Sequence, residues 1–184
     1  PWPKGSIVSS LSAPAQSLLE AVLEQDNNEG LQTRALLVVR DGSIIGEAYA
    51  KGFSPQTPLM GWSMGKSLSA IMLGHLAFSE KLGMGEANLF SEWSADERRN
   101  ITLRQLLQMS SGLGFSEVYA PGSDATRMLF IAASASGVAK TSALIHPPGS
   151  HFSYSSGTAN LLSEVFVNST GGTQAAVNIL HNEI

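Results

Sequence analysis

The sequence contains no cysteine. That absence excludes disulfide bonds, thiol nucleophiles and cysteine-ligated metal centres, and it leaves the compartment open. Charge is sparse. Only 14% of the 184 residues are charged, with 11 basic against 15 acidic side chains, a net charge of −4. There is no basic run and no interleaving of aromatic with basic residues, so nucleic acid is not an expected partner. Long apolar runs are missing too. The longest uncharged one, residues 128–139, is too short to span a membrane and is interrupted by two serines and a glycine. No signal peptide is visible, which leaves cytoplasm and periplasm both open. What remains is 43% hydrophobic, the composition of a folded domain or a large piece of one. No repeat, linker or low-complexity segment interrupts it.

Local signals divide the chain into elements. Ser12 followed by Pro14 reads as a helix start, Leu18, Leu19, Val22 and Leu23 as its apolar face, and Asn27, Asn28 and Gly30 as its end. The β-rich runs 35–40 and 43–49 flank Asp41-Gly42, a hairpin signal, because a type I′ turn needs positive φ at both central residues. The run from Ala35 to Val39 is apolar on both faces, which suits a central strand. A helical pattern runs from Ser63 to about Phe78. Thr102 and Gln105 form a capping box for a helix that Gly112 is expected to close. One helix is expected over 125–139, a turn at Pro147-Pro148-Gly149, an extended piece over 151–154, a helix over 158–167 ended by Gly171-Gly172, and a last helix from Thr173.

The chemistry concentrates at Gly61-Trp62-Ser63-Met64-Gly65-Lys66-Ser67. Of the five lysines, Lys66 alone has a serine three positions before it. At a helix start, that spacing puts a hydroxyl and an amine on one face. A serine hydroxyl is a poor nucleophile without a base in reach. Lysine ordinarily holds its proton up to about pH 10.4, and burial with nearby positive potential favours the neutral amine. The helix N-terminus supplies some of that potential, and Trp62, Met64, Ile71 and Met72 supply apolar surroundings. The bland reading is a serine cap beside a solvated lysine. The same residues also match Gly-x-Ser-x-Gly, the nucleophile elbow of α/β-hydrolases, which needs a strand directly before the serine. Pro55 and Pro58 argue against a central strand there. His146 and His151 lack the spacing and the carboxylates of a metal signature, so neither metal nor cofactor is expected.

The Ser63 segment resembles the active-site segment of the serine β-lactamase-like hydrolases, which include class C β-lactamases, DD-peptidases and related esterases. Residues 102–113 resemble that family's helix-and-turn signature. Residues 147–157 resemble the segment carrying its Tyr-x-Asn motif, and Arg40-Asp41-Gly42 resembles its opening hairpin. The Trp2-Pro3 start and the Tyr154-Ser155-Ser156-Gly157 variant lean toward the 6-aminohexanoate-dimer hydrolase branch. The resemblance implies an acylated nucleophile, Ser63, with Lys66 as its proton partner and Tyr154 as a phenol that shuttles the proton. The Ser63 backbone N–H would form half of an oxyanion hole. Ser156 stands where the family has asparagine. It implies a substrate-binding position with a shorter reach, better suited to an esterase or amidase than to a dedicated β-lactamase.

A second departure is larger. The family's third motif, Lys-Thr-Gly or an equivalent on a later strand, does not follow Tyr154. The one Lys-Thr pair, Lys140-Thr141, precedes it and is followed by Ser142. The resemblance therefore implies an α+β fold of the β-lactamase/transpeptidase type. Residues 1–184 would be the N-terminal portion of one truncated domain, holding the opening hairpin and lacking the C-terminal strands. The expected activity is serine-based acyl transfer on a small ester or amide, with β-lactams and D-Ala-D-Ala peptides open as substrates. The chain by itself is expected to be inactive. It would be completed by the C-terminal remainder as a second chain, or associate with itself through the hairpin edge. The alternatives are a non-catalytic penicillin-recognising or regulatory module of the same fold and, behind it, an α/β-hydrolase.

Overall fold

The structure, a computed structural model, describes residues 11–184; the Trp2-Pro3 start lies outside them. The chain divides into two compact units, one running to Met60 and the other from Gly61 to Ile184.

The first unit is a helix laid on a hairpin. Helix α1 spans Ala13–Asn28, with Pro14 in its first turn. Gly30, at φ 82°, lets the Leu31 N–H turn back to the Asp26 carbonyl at 3.0 Å and close the helix. Strands β1, Ala35–Arg40, and β2, Ser43–Tyr49, pair antiparallel. Asp41 and Gly42 both have positive φ, as the turn between them demands. The register slips after the Val38–Gly46 pair, so that Val39 faces Ile44 and Ile45 is passed over as a bulge. Gly46 is needed where the chain passes under Leu11: a Cβ there would lie 2.3 Å from the Leu11 Cδ1. The Gln16 amide donates to the Glu47 carbonyl at 2.8 Å and ties α1 to β2. Among the described residues the sheet has these two strands only. The doubly apolar β1 is therefore not a covered central strand here: Leu37, Val38 and Val39 are 51%, 36% and 47% exposed.

The second unit is helical. Its α-helices are α2 (Gly65–Phe78), α3 (Leu103–Leu107), α4 (Asp124–Phe130), α5 (Ala135–Lys140), α6 (Ser156–Ser169) and α7 (Thr173–Asn182). Three short 3-10 turns lie at Trp62–Met64, Ser91–Trp93 and Glu97–Asn100. The core is built from Leu73 and Leu76 of α2, Leu103 and Leu106 of α3, Leu161, Leu162, Val165 and Phe166 of α6, and fully buried Trp93. Trp93 meets Phe90 edge-on at 4.7 Å and donates its indole N–H to the Lys140 carbonyl at 3.0 Å.

Two local expectations change. The helix expected over 125–139 is two, because Ser134 accepts from the Gly137 N–H and caps a new helix. The capping box on α3 is present in both directions, but Met109, at φ 54°, closes that helix. The Ser110 N–H turns back there to the Gln105 carbonyl at 2.9 Å. Gly112 serves another purpose: a Cβ on it would sit 2.1 Å from the His146 carbonyl oxygen. Arg98 pairs with Asp96 at 2.7 Å and caps the Lys140 and Ser142 carbonyls at 2.8 and 3.1 Å.

Candidate active site

Ser63 does not lie within α2 but in the 3-10 turn that enters it. The preceding Trp62 has φ 44°, a left-handed conformation uncommon for a bulky residue. The segment before it is turn and irregular chain, so the strand that a nucleophile elbow needs is absent. That removes the α/β-hydrolase alternative. Lys66 follows in the first turn of α2, and its Nζ donates to Ser63 Oγ at 3.2 Å. The local spacing thus produces the contact that the sequence suggests.

The other partners arrive from a distant part of the chain. Residues 151–154 form neither helix nor strand and are anchored where the Ser153 N–H donates to the Met109 carbonyl at 2.8 Å. Tyr154 ends that run. Lys66 Nζ lies 4.6 Å from the centre of its ring. Hydrogen bonding with Ser63, and then with Lys66, holds the Tyr154 phenol below its usual value of 10.0. Next, Ser155 caps α6 by accepting from the Thr158 N–H at 3.0 Å. This places Ser156 at the first helical position. Its hydroxyl accepts from Lys66 Nζ at 3.2 Å. Ser63, Lys66, Tyr154 and Ser156 are therefore one cluster, with Lys66 at its centre.

The sequence reading missed Glu117. Its carboxylate accepts the Ser156 backbone N–H at 2.8 Å and the Ser156 hydroxyl as well, and Tyr119 donates to it at 3.3 Å. Nothing in its surroundings marks it, because Ser116-Glu117-Val118-Tyr119 reads as an ordinary polar loop.

Ser63, Lys66 and Ser156 of this cluster line a cleft of about 340 Å³ together with Trp62, Tyr119 and Leu129. A larger hollow of about 830 Å³ lies in the first unit, lined by residues such as Glu20, Arg34, Glu47 and Phe53. It contains neither a serine nor a lysine–serine pair, so size does not make it the site of this chemistry. Trp62 is exposed at the cleft, whereas Trp93 belongs to the core. The His146 and His151 rings lie 4.3 Å apart, tilted against each other. Among the described residues no group of three or more His, Asp or Glu comes together as a metal site. None of the helices described is long and apolar enough to cross a membrane.

A family model described as Beta-lactamase matches residues 17–182. Among solved structures, the chain is similar to a candidate 6-aminohexanoate-dimer hydrolase from Bacillus anthracis, with 20% identity and a TM-score of 0.66 over 85% of this chain and 45% of that one. It is similar to a candidate beta-lactamase from Bacteroides dorei, with 18% identity and a TM-score of 0.71 over 89% and 50%. It is also similar to a mutant class C beta-lactamase, with 14% identity and a TM-score of 0.61 over 95% and 50%. At such identities the likeness is one of fold. The chain spans about half the length of each of these structures. No curated protein matches it.

Proposed function

The chain belongs to the beta-lactamase family, and from that premise we propose that it carries the acylation machinery of a serine hydrolase acting on an ester or an amide. The observation that carries this reading is the meeting of Lys66 and Tyr154 on Ser63, the amine at 3.2 Å from the hydroxyl and the phenol held below 10.0 by the same two partners. The names borne by the similar structures are those of hydrolases, which supports the class.

Ser63 Oγ attacks the substrate carbonyl carbon and gives its proton to the Tyr154 oxygen. The Lys66 ammonium, beside both, favours the phenolate that takes the proton. The Ser63 backbone N–H donates to the oxyanion as it forms. Collapse breaks the bond to the leaving alcohol or amine, which takes the proton from Tyr154 and leaves the acyl group on Ser63. Water then attacks that ester, passing a proton to Tyr154. Ser63 recovers the proton as the acid departs. In this scheme Tyr154 is the base and Lys66 its electrostatic support, a different division of labour from the neutral-lysine base expected from the sequence. Ser156, shorter than an asparagine, suits ester or amide substrates.

The test is labelling by a fluorophosphonate probe together with hydrolysis of p-nitrophenyl acetate by the full-length protein. Ser63→Ala is expected to abolish labelling and to lower hydrolysis at least about a thousandfold. Labelling that survives in Ser63→Ala overturns the assignment. Labelling of Ser63 without turnover of the ester points instead to the binding module.

A further inference from the structure

We propose that Glu117 is a positioning residue of this site: it clasps Ser156 and thereby sets the direction of the hydrogen-bond chain that reaches Ser63. The inference rests on the acyl-transfer reading above. Glu117 lies 39 residues from Ser156 in sequence and meets it with both carboxylate oxygens, Oε2 accepting the backbone N–H at 2.8 Å and Oε1 accepting the hydroxyl. Tyr119 donates to Oε1 at 3.3 Å.

The loop that presents Glu117 is held on both sides. Phe115 packs so tightly on α6 that a Cβ on Gly157 would come within 2.5 Å of its ring. The Ser116 N–H donates to Asp124 at 2.9 Å, and the Ser116 carbonyl accepts from the Ala125 N–H at 3.1 Å. The clasp is thus built into the junction of α4, α6 and the loop between α3 and α4.

Donor and acceptor counting gives the consequence. An ionised carboxylate only accepts, and a serine hydroxyl has one proton. With that proton committed to Glu117, Ser156 Oγ turns only lone pairs toward Lys66, 3.2 Å away. Lys66 meets them as a donor, and a second of its N–H groups reaches Ser63 Oγ at 3.2 Å. Ser63 therefore accepts from Lys66, and its own proton is free for Tyr154. Glu117 orders the whole chain: Lys66 is anchored as a donor, and the nucleophile's proton is directed to the phenol. A glutamine at 117 keeps the shape but turns an N–H₂ toward one of the two Ser156 donors, so the order is lost.

Glu117→Gln, Ser156→Ala and the double variant, compared in the full-length protein with p-nitrophenyl acetate, test this. Hydrogen bonds to charged groups of this kind correspond to an effect of about 10- to 100-fold. Glu117→Gln is expected to lower kcat by that factor with KM nearly unchanged, and Ser156→Ala to do likewise. The double variant is expected to fall no further than the worse single, because Glu117 acts through Ser156. Glu117→Asp, which keeps both acceptors, is expected to retain more activity than Glu117→Gln. Glu117→Ala takes the place of Glu117→Gln if thermal melting shows that variant unfolded. Wild-type kcat in the Glu117 variant, or losses that multiply in the double, overturns the inference. Ser63→Ala separates the two levels. An active Ser63→Ala removes the acyl-transfer reading and the inference with it. An inactive Ser63→Ala beside an unimpaired Glu117→Gln removes the inference alone.

Discussion

Tyr154 and Tyr49 are pulled in opposite directions by their surroundings. Hydrogen bonding with Ser63 and Lys66 lowers the phenol of Tyr154, whereas burial, reinforced by Glu47, pushes Tyr49 up to about 12. The chain has three tyrosines, so its phenolate absorbance is simple enough to read. A titration is expected to show a first step below 10 that disappears in Tyr154→Phe, and a last step near 12 that disappears in Tyr49→Phe. Lys66→Met is expected to move the first step up, because one of its causes is gone. A first step unmoved by Tyr154→Phe would remove Tyr154 as the base. The two shifts also differ in what they do to stability. For Tyr49 the folded value is raised, so its contribution is fully present below about pH 10 and is lost as pH rises through about 12. At this scale Ser63 and Lys66 were legible because their contact is local, three residues along one turn. Tyr154 was legible only through the resemblance of its segment. Glu117 was not legible at all, since its meaning comes from Ser156, which the fold brings to it from 39 residues away.

Among the elements, those with a local cause were the readable ones. Asp41-Gly42 dictates the hairpin, and Thr102 with Gln105 dictates the start of α3; both causes lie within four residues. Of the expectations that changed, one yields to a local cap hidden in an apolar run and the other to tertiary packing. An apolar run over 125–139 reads as one helix until Ser134 is used as a cap, which divides it into α4 and α5. Gly112 reads as a helix stop, yet α3 already ends through left-handed Met109. What requires glycine at 112 is the His146 carbonyl, from a segment that also bonds back to the Gly112 carbonyl through the Ile145 and His146 N–H groups at 2.9 and 3.2 Å. Gly112→Ala meets two penalties, φ of 81° and a Cβ at 2.1 Å from that oxygen. A loss of about 2–4 kcal/mol is expected. Thermal or urea denaturation measures it, and a change within the roughly 0.5 kcal/mol usual for surface sites would contradict the packing account.

At the scale of the molecule, the two units differ in how their apolar residues are covered. Residues 61–184 bury a continuous core in which Leu73, Leu76, Trp93, Ile101, Leu103, Leu106 and Leu161 have no exposed surface. Residues 11–60 bury much less: Leu23, Ile45 and Ala48 are covered, while Leu37, Val38 and Val39 on β1 are substantially exposed. The sequence pattern of β1, apolar on both faces, is that of a strand with neighbours, yet among the described residues it pairs with β2 alone. An edge strand of this kind offers unpaired backbone donors and acceptors beside apolar side chains, and two-stranded sheets are marginal by themselves. A 184-residue chain is therefore expected to self-associate through β1, with a weight-average mass that rises with concentration in sedimentation equilibrium. Charge on an edge strand opposes pairing because it must be desolvated for a second strand to dock. Leu37→Lys with Val39→Lys, two positions of the same strand face, is expected to return the chain to monomer at about 100 µM while leaving the far-ultraviolet spectrum of the helical unit intact. A wild-type chain that stays monomeric at that concentration, or a double-lysine variant that associates as strongly as wild type, would show that the edge of β1 is not the adhesive surface.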